Sequence, residues 1–284
     1  MGTQYTLREF KDFAKKSLQN IYPFNEIESI IQLVLEKKLN LTKIDVLLNE
    51  NYRFSQSEVR EFIHIINELK SQRPVQHILG ETDFYELTLS LNDRTLIPRQ
   101  ETEELVDWII NEYKGRPIRA LDIGTGTGCI AIALAKFLPE ASVEGIDFDE
   151  QIINIAKENA YRNYVKVDFS VMDVLKDDLS DGYDLIVSNP PYVRESEKKY
   201  MHGNVLNFEP EEALFVADDD PLIFYRVITE KSAKSLKSGG CLFFEINEYL
   251  SREIKELLEN YSFNGIVLKN DIIEKPRMIK AKKA

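Results

Sequence analysis

Cysteine, histidine and tryptophan are scarce in this chain of 284 residues, at two, three and one copies. The two cysteines, Cys129 and Cys241, lie in apolar surroundings, which excludes a disulfide framework and suggests reduced core thiols. The three histidines, His64, His77 and His202, are scattered without metal-ligand spacing, so no metal site is expected. No run of about 18 apolar residues is present, which excludes a membrane-spanning helix. The first residues also lack a basic stretch leading into an apolar one, so a cytoplasmic protein without membrane contact is expected. Internal repeats and low-complexity segments are missing too.

Positive charge is in short supply. Against 48 Asp+Glu stand 36 Lys+Arg, a net charge of −12. Enzymes of nucleic acids usually carry a basic footprint, because neutralising phosphates supplies much of their affinity. Residues 1–80 hold 11 Lys+Arg and 10 Asp+Glu, so the acidity belongs to the rest of the chain. That balance favours a protein or small-molecule substrate over a nucleic acid.

What is present is an ordinary globular composition, 43% hydrophobic and 30% charged, long enough for one large or two moderate domains. Residues 1–80 read as a small helical domain. Thr6 with Glu9, Asn25 with Glu28, and Ser55 with Glu58 have the spacing of helix N-caps. Val59, Phe62, Ile63, Ile66 and Leu69 recur at helical spacing and predict a core stripe, with His64 off it at the surface. No catalytic constellation lies here, so the lobe is either a substrate-docking element or a purely stabilising one. Arg73-Pro74 ends its fourth helix. Residues 81–99 then suggest a two-stranded arm, a β-hairpin linker turning at Asn92-Asp93.

Residues 100–284 alternate strand and helix. A helix carries Leu105, Val106, Trp108, Ile109 and Ile110, with Trp108 as a core anchor. Strands are expected at 118–123, 142–147, 166–172, 183–188, 240–246, 263–268 and 274–280, with a helix at 251–260. Repeated βα units specify an α/β fold with a mostly parallel sheet covered on both faces. The last two strands fit an antiparallel edge hairpin, and the basic end (Lys275, Arg277, Lys280, Lys282, Lys283) reads as a solvated tail.

The chain's organising stretch is Asp122-Ile123-Gly124-Thr125-Gly126-Thr127-Gly128, between an apolar strand and an apolar helix. Glycines let backbone approach a ligand, and the helix start behind them offers free N–H groups. A dinucleotide fingerprint would need glycine at Cys129, so a dehydrogenase is disfavoured. A pyrophosphate beside Asp122 would be repelled, whereas an ammonium and a sulfonium would be attracted. S-adenosylmethionine answers that description, and the turn resembles the first motif of class I methyltransferases.

Ligands in open α/β sheets lie across the carboxyl ends of the strands. The second strand ends at Asp147, placed to accept from both ribose hydroxyls. Asp149 better suits a helix cap. After the third strand, Asp173 is a candidate acceptor for the adenine amine, with Val174 and Phe148 covering the adenine faces. The fourth strand runs into Asn189-Pro190-Pro191-Tyr192. Two prolines fix φ and withhold N–H donors, leaving a stiff turn with free carbonyls. Such a corner suits a planar amino group on an sp² carbon, a poor nucleophile. The Asn189 side-chain oxygen and the Pro190 carbonyl can hold its two hydrogens while Tyr192 stacks on its plane. Positioning then supplies the catalysis.

The ordered set Arg73-Pro74-Val75-Gln76-His77-Ile78-Leu79-Gly80, Leu96-Ile97-Pro98-Arg99-Gln100-Glu101-Thr102-Glu103, Asn189-Pro190-Pro191-Tyr192, Phe208-Glu209-Pro210 with Ala213-Leu214, and Phe244-Glu245-Ile246 resembles the release factor glutamine methyltransferase family (PrmC/HemK). The resemblance implies a helical N-terminal domain, a β-hairpin linker and a class I, Rossmann-like methyltransferase domain with a seven-stranded sheet. It also implies methyl transfer to the side-chain amide (N5) of the glutamine in the Gly-Gly-Gln loop of peptide chain release factors. By its motifs Gly124 to Gly128, Asp147 and Val174 would hold the cofactor, and Asn189 to Tyr192 the glutamine. The chain departs from the family at Val174, where tryptophan is common, at Gln100, where proline is usual, and at Asn247, where glycine is common. Two rivals share part of this reading. A base methyltransferase acting on adenine or guanine has the same catalytic turn, and a non-catalytic module would keep the cofactor fold alone.

Overall fold

The computed structural model describes residues 5–284. It falls into two compact units, one of the described residues up to Gly80 together with His202–Phe208, the other of Glu81–Met201 and Glu209–Ala284.

The first unit is helical: Leu7–Leu18, Phe24–Leu39, Lys43–Leu48, Gln56–Lys70 and Val75–Leu79, joined by the late segment Gly203–Phe208. Thr6 and Ser55 close capping boxes with Glu9 and Glu58, as their spacing predicts, each cap contributing about 1 kcal/mol. Asn25 does not cap: the helix starts at Phe24, two residues earlier than that cap would place it, behind Pro23, and Glu28 pairs with Lys15 instead. Proline at the entry sets φ without losing a helical hydrogen bond, and no side chain caps this helix. A third box, Thr42 with Asp45, escaped sequence reading because its helix is only six residues long. Phe10, Phe54 and Phe62 meet with ring centroids 4.7–5.4 Å apart. The Gln56–Lys70 helix buries Phe62, Ile65, Ile66 and Leu69, while Ile63 is exposed. The stripe therefore takes in Ile65 in place of the expected Ile63, and His64 is at the surface.

The second unit begins with a hairpin, β1 (Glu81–Phe84) and β2 (Leu87–Ser90). It turns at Tyr85-Glu86, not at Asn92-Asp93. Both turn residues have positive φ, 43° and 58°, without glycine or asparagine to signal it. Side-chain anchoring holds the strained pair: the Tyr85 hydroxyl donates to Asp107 and its ring meets Phe137 edge-on at 5.1 Å. Asn159 clamps the far end, accepting from Ser90 N at 2.7 Å and donating to Ser90 O at 2.9 Å.

A seven-stranded sheet carries the rest. Its strands are β3 (Arg119–Ile123), β4 (Ser142–Asp147), β5 (Asp168–Val171), β6 (Tyr183–Ser188), β9 (Leu236–Glu245), β10 (Phe263–Asn270) and β11 (Pro276–Lys283). A short parallel pair, β7 (Val193–Arg194) and β8 (Phe215–Val216), stands apart from it. The sheet order is β10-β11-β9-β6-β3-β4-β5, parallel except where β11 inserts antiparallel between β9 and β10. The basic end is thus a strand rather than a tail. Met278, Ile279 and Ala281 are buried on alternate faces, and Lys280 between them pairs with Glu112.

Two apolar layers sandwich the sheet. One gathers Leu105, Ile109, Ile130, Leu134, Leu185 and Phe243, the other Leu121, Ile186, Tyr225, Leu242, Phe244 and Ile254. Trp108 is half-buried against the first, edge-on to Phe243 at 5.3 Å. Central strands apolar on both faces are what parallel burial demands. The order reverses between β3 and β6, which opens a crevice at their carboxyl ends.

Candidate functional site

A cavity of about 440 Å³ lies at that crevice, within the range of small-molecule sites. Gly124, Gly126, Asp147, Phe148, Asp173, Val174, Asn189, Pro190 and Pro191 line it, so four separate strand ends converge as expected.

The glycine turn is built from below. Gly124 and Gly126 have φ of 71° and 54°, a region closed to most side chains, and leave bare backbone facing the cavity. Gly124 N and Thr125 N both donate to Ile146 O at 2.9 Å. Gly128 serves packing instead, since a Cβ there would meet Ile132 Cδ1 at 2.9 Å. It lets the helix Cys129–Phe137 sit down on the sheet. Thr125 and Thr127 are buried in the turn and, like Gly128, do not line the cavity.

Asp122 is fully buried under the turn. Its Oδ2 accepts from Thr125 Oγ1 at 2.7 Å and from Ala131 N at 3.2 Å, so it caps the following helix from a strand. Its Oδ1 has no partner among the described residues. Burial pushes its carboxyl up to about 7. The sequence expectation of cavity contact at Asp122, Thr125, Thr127 and Gly128 is therefore not met by the geometry; these residues shape the turn.

Asp147, unlike Asp122, lines the cavity. Gly126 N donates to its Oδ2 at 3.0 Å and Phe148 N to its Oδ1 at 2.9 Å. Burial raises its pKa as the largest effect, opposed by these backbone donors. Each oxygen keeps a lone pair for a ligand hydroxyl. Asp149 caps the next helix through Gln151 N at 2.7 Å, the division of labour expected for the two acids. Asp173 accepts from Leu175 N at 2.9 Å and pairs with Lys176 at 2.7 Å, so its turn and this lysine already use it. Lys176 holds its carboxyl below the usual range. Phe148 stands 57% exposed at the rim and Val174 is buried in the wall.

Asn189 leaves β6 at the opposite wall. Its Nδ2 donates to Thr102 Oγ1 at 3.2 Å. The Thr102 hydroxyl donates to Glu245 Oε2 at 2.6 Å, and the Tyr192 hydroxyl donates to Glu245 Oε1 at 3.0 Å. Burial raises the pKa of Glu245. Tyr192 does not line the cavity. Its ring packs against the apolar layer that holds Tyr225 and Phe244, and Asn247 Nδ2 donates to its carbonyl at 3.0 Å. The expected stacking of Tyr192 over a substrate is replaced by this anchoring, because a buried carboxylate attracts the phenol.

Sequence reading missed the wall formed by Asp93–Leu96 and that formed by Pro210, Glu212 and Ala213. Asp93–Leu96 lies in a turn and Glu212-Ala213 in a single short 3-10 turn, neither long enough to show a period. Glu209, a buried acid, ties them together by accepting from Arg99 Nη2 at 2.5 Å and Ile97 N at 3.3 Å. The motif residues Pro98-Arg99 and Glu209-Pro210 were the available signal.

Comparisons agree with this architecture. The family description "PrmC N-terminal domain" matches residues 11–80 and "Methyltransferase small domain" matches residues 102–214. A protein of Flavobacterium psychrophilum named release factor glutamine methyltransferase is 45% identical, covering 96% of this chain and 98% of its own. Its namesake in Bacteroides thetaiotaomicron is 40% identical over 95% and 97%. Among solved structures, a methyltransferase from Pyrococcus furiosus has a TM-score of 0.52 at 18% identity, covering 81% of this chain and all of its own, a likeness of fold alone. With the motifs in order along the chain and relatives aligned over nearly its full length, the chain belongs to the release factor glutamine methyltransferase family.

Proposed function

We propose that this protein transfers a methyl group from S-adenosylmethionine to the side-chain amide nitrogen of the glutamine in the Gly-Gly-Gln loop of peptide chain release factors, as a cytoplasmic enzyme. The observation that carries the reading is Asn189. Its carboxamide stands at the cavity wall, its nitrogen donating to Thr102, next to the Pro190-Pro191 turn in a cavity that Asp147 also lines.

The residues present fit the cofactor. Bare backbone at Gly124 and Gly126 admits the methionine portion, and Asp147 has lone pairs for the ribose hydroxyls. Phe148 and Val174 flank the place for adenine, whose amine Asp173 can accept beside its turn bonds. When bound, S-adenosylmethionine supplies an electrophilic methyl on a sulfonium. What the chain itself must do is make the amide nitrogen attack. Asn189 Oδ1 and the Pro190 carbonyl accept its two hydrogens, which turns the nitrogen lone pair towards the donor. Pro190 and Pro191 hold those acceptors without rearrangement. No strong base is needed, since the proton can leave after transfer.

The helical unit, 5–80 with 202–208, is assigned to docking of the release factor. The acidic catalytic unit disfavours a nucleic-acid substrate. Labelled methyl offered with release factor, DNA or ribosomal RNA tests the reading. Label on the release factor glutamine supports it, and label on nucleic acid alone overturns it.

A further inference from the structure

Thr102 and Glu245 sit in two motifs for which the proposed reaction has no direct use. They come from different elements, the helix Gln100–Tyr113 and the end of β9, yet they meet beside Asn189. Both are buried, at 2% and 1% exposure.

A hydroxyl owns one proton. The Thr102 proton goes to Glu245 Oε2 at 2.6 Å, the length of a charge-assisted bond. Towards Asn189 the same oxygen has only lone pairs to offer, so it accepts, and it does so from Nδ2. The flipped amide would set Oδ1 lone pairs against those of Thr102. The other Glu245 oxygen is taken by Tyr192, and Arg277, held by Asp271 at 3.2 Å, is the neighbouring positive charge.

We infer that Glu245 and Thr102 are positioning residues that decide which end of the Asn189 carboxamide meets the substrate. The inference rests on the proposed reaction, in which Asn189 must accept rather than donate. Substrate glutamine brings two hydrogens, so an Asn189 turned nitrogen-first would oppose donor to donor. Thr102→Val keeps the shape and removes the hydroxyl. Glu245→Gln offers an N–H to Thr102, whose own proton then competes for the Asn189 oxygen.

The test is steady-state kinetics on a release factor with the unmodified enzyme, Thr102→Val, Thr102→Ser and Glu245→Gln, with melting temperature and S-adenosylhomocysteine affinity measured alongside. The valine and glutamine variants should lose kcat by about 100-fold with cofactor affinity unchanged, and serine should restore it. A release factor carrying glutamate in place of the substrate glutamine gives a second readout. Its carboxylate brings only acceptors, so Thr102→Val, whose amide can turn, should be inhibited by it more strongly than the unmodified enzyme. An undiminished kcat in folded Thr102→Val, a loss that serine does not restore, or equal inhibition overturns the inference. Should Glu245→Gln fail to fold, the two Thr102 variants decide alone. An unmodified enzyme that leaves the release factor unmethylated overturns the substrate reading and this role with it. One that methylates while Thr102→Val matches it overturns only the role.

Discussion

The Tyr192 hydroxyl donates to Glu245 Oε1 across 3.0 Å, which ties the end of the Asn-Pro-Pro-Tyr corner to the end of β9. The ring is thereby a strut and not a lid. Tyr192→Phe keeps the ring and deprives a buried carboxylate of one donor. It should cost about 1–3 kcal/mol of stability, read from a urea midpoint, while cofactor affinity stays put. An unchanged midpoint would remove the strut.

Asn189→Ala removes one of the two proposed acceptors, Oδ1, together with the donor to Thr102 Oγ1. Methyl transfer measured in a single turnover should fall about 100- to 1,000-fold. Binding of S-adenosylhomocysteine, followed by calorimetry, should change little. Normal turnover would take Asn189 out of the reaction.

Asp147→Ala should show the opposite pattern. Hydrogen bonds from ribose hydroxyls to a carboxylate contribute about 1.5–3 kcal/mol, so the dissociation constant should rise about 10- to 100-fold. The loss should be recovered in part at saturating cofactor. An unaltered dissociation constant refutes the ribose contact.

Asp122 gives a pH dependence of stability. Its folded pKa, about 7, lies above the unfolded value of about 3.9. Between those values the folded state holds a proton that the unfolded state has released, so stability falls as pH rises through that window and levels off above it. The full swing from this one group is up to about 4 kcal/mol. Asp147, also raised, adds the same sign. Asp122→Asn can keep its oxygen on Thr125 and Ala131 and does not titrate. Urea midpoints of the variant should therefore gain on the unmodified protein between pH 5 and pH 8; parallel curves would contradict the burial cost.

Much of the fold was legible because period and strand ends carry it. The strands 142–147 and 183–188 and the helix 251–260 stand where the apolar pattern and the acids at strand ends place them. The turn of the first hairpin was not legible, since Tyr85 and Glu86 adopt positive φ for tertiary reasons and Asn92-Asp93 imitates the usual signature. Glu86 at φ 58° is strained by that fit, and Glu86→Gly should raise stability by about 1 kcal/mol in thermal melts, with a decrease counting against strain at the turn. At the site, residues announced by strand ends (Asp147, Asn189) line the cavity, whereas Asp122 and Tyr192 carry the right motifs and face inward. A motif names a position on the chain, and only packing decides which way its side chain turns.

The central claim is that the Asn189-Pro190 corner holds an amide nitrogen for methyl transfer. A crystal structure of this protein with S-adenosylhomocysteine and a release factor measures it most directly. The glutamine amide nitrogen should lie about 2.7–3.2 Å from both Asn189 Oδ1 and the Pro190 carbonyl, facing the cofactor sulfur. A glutamine held elsewhere, with the corner turned from the donor, would contradict it.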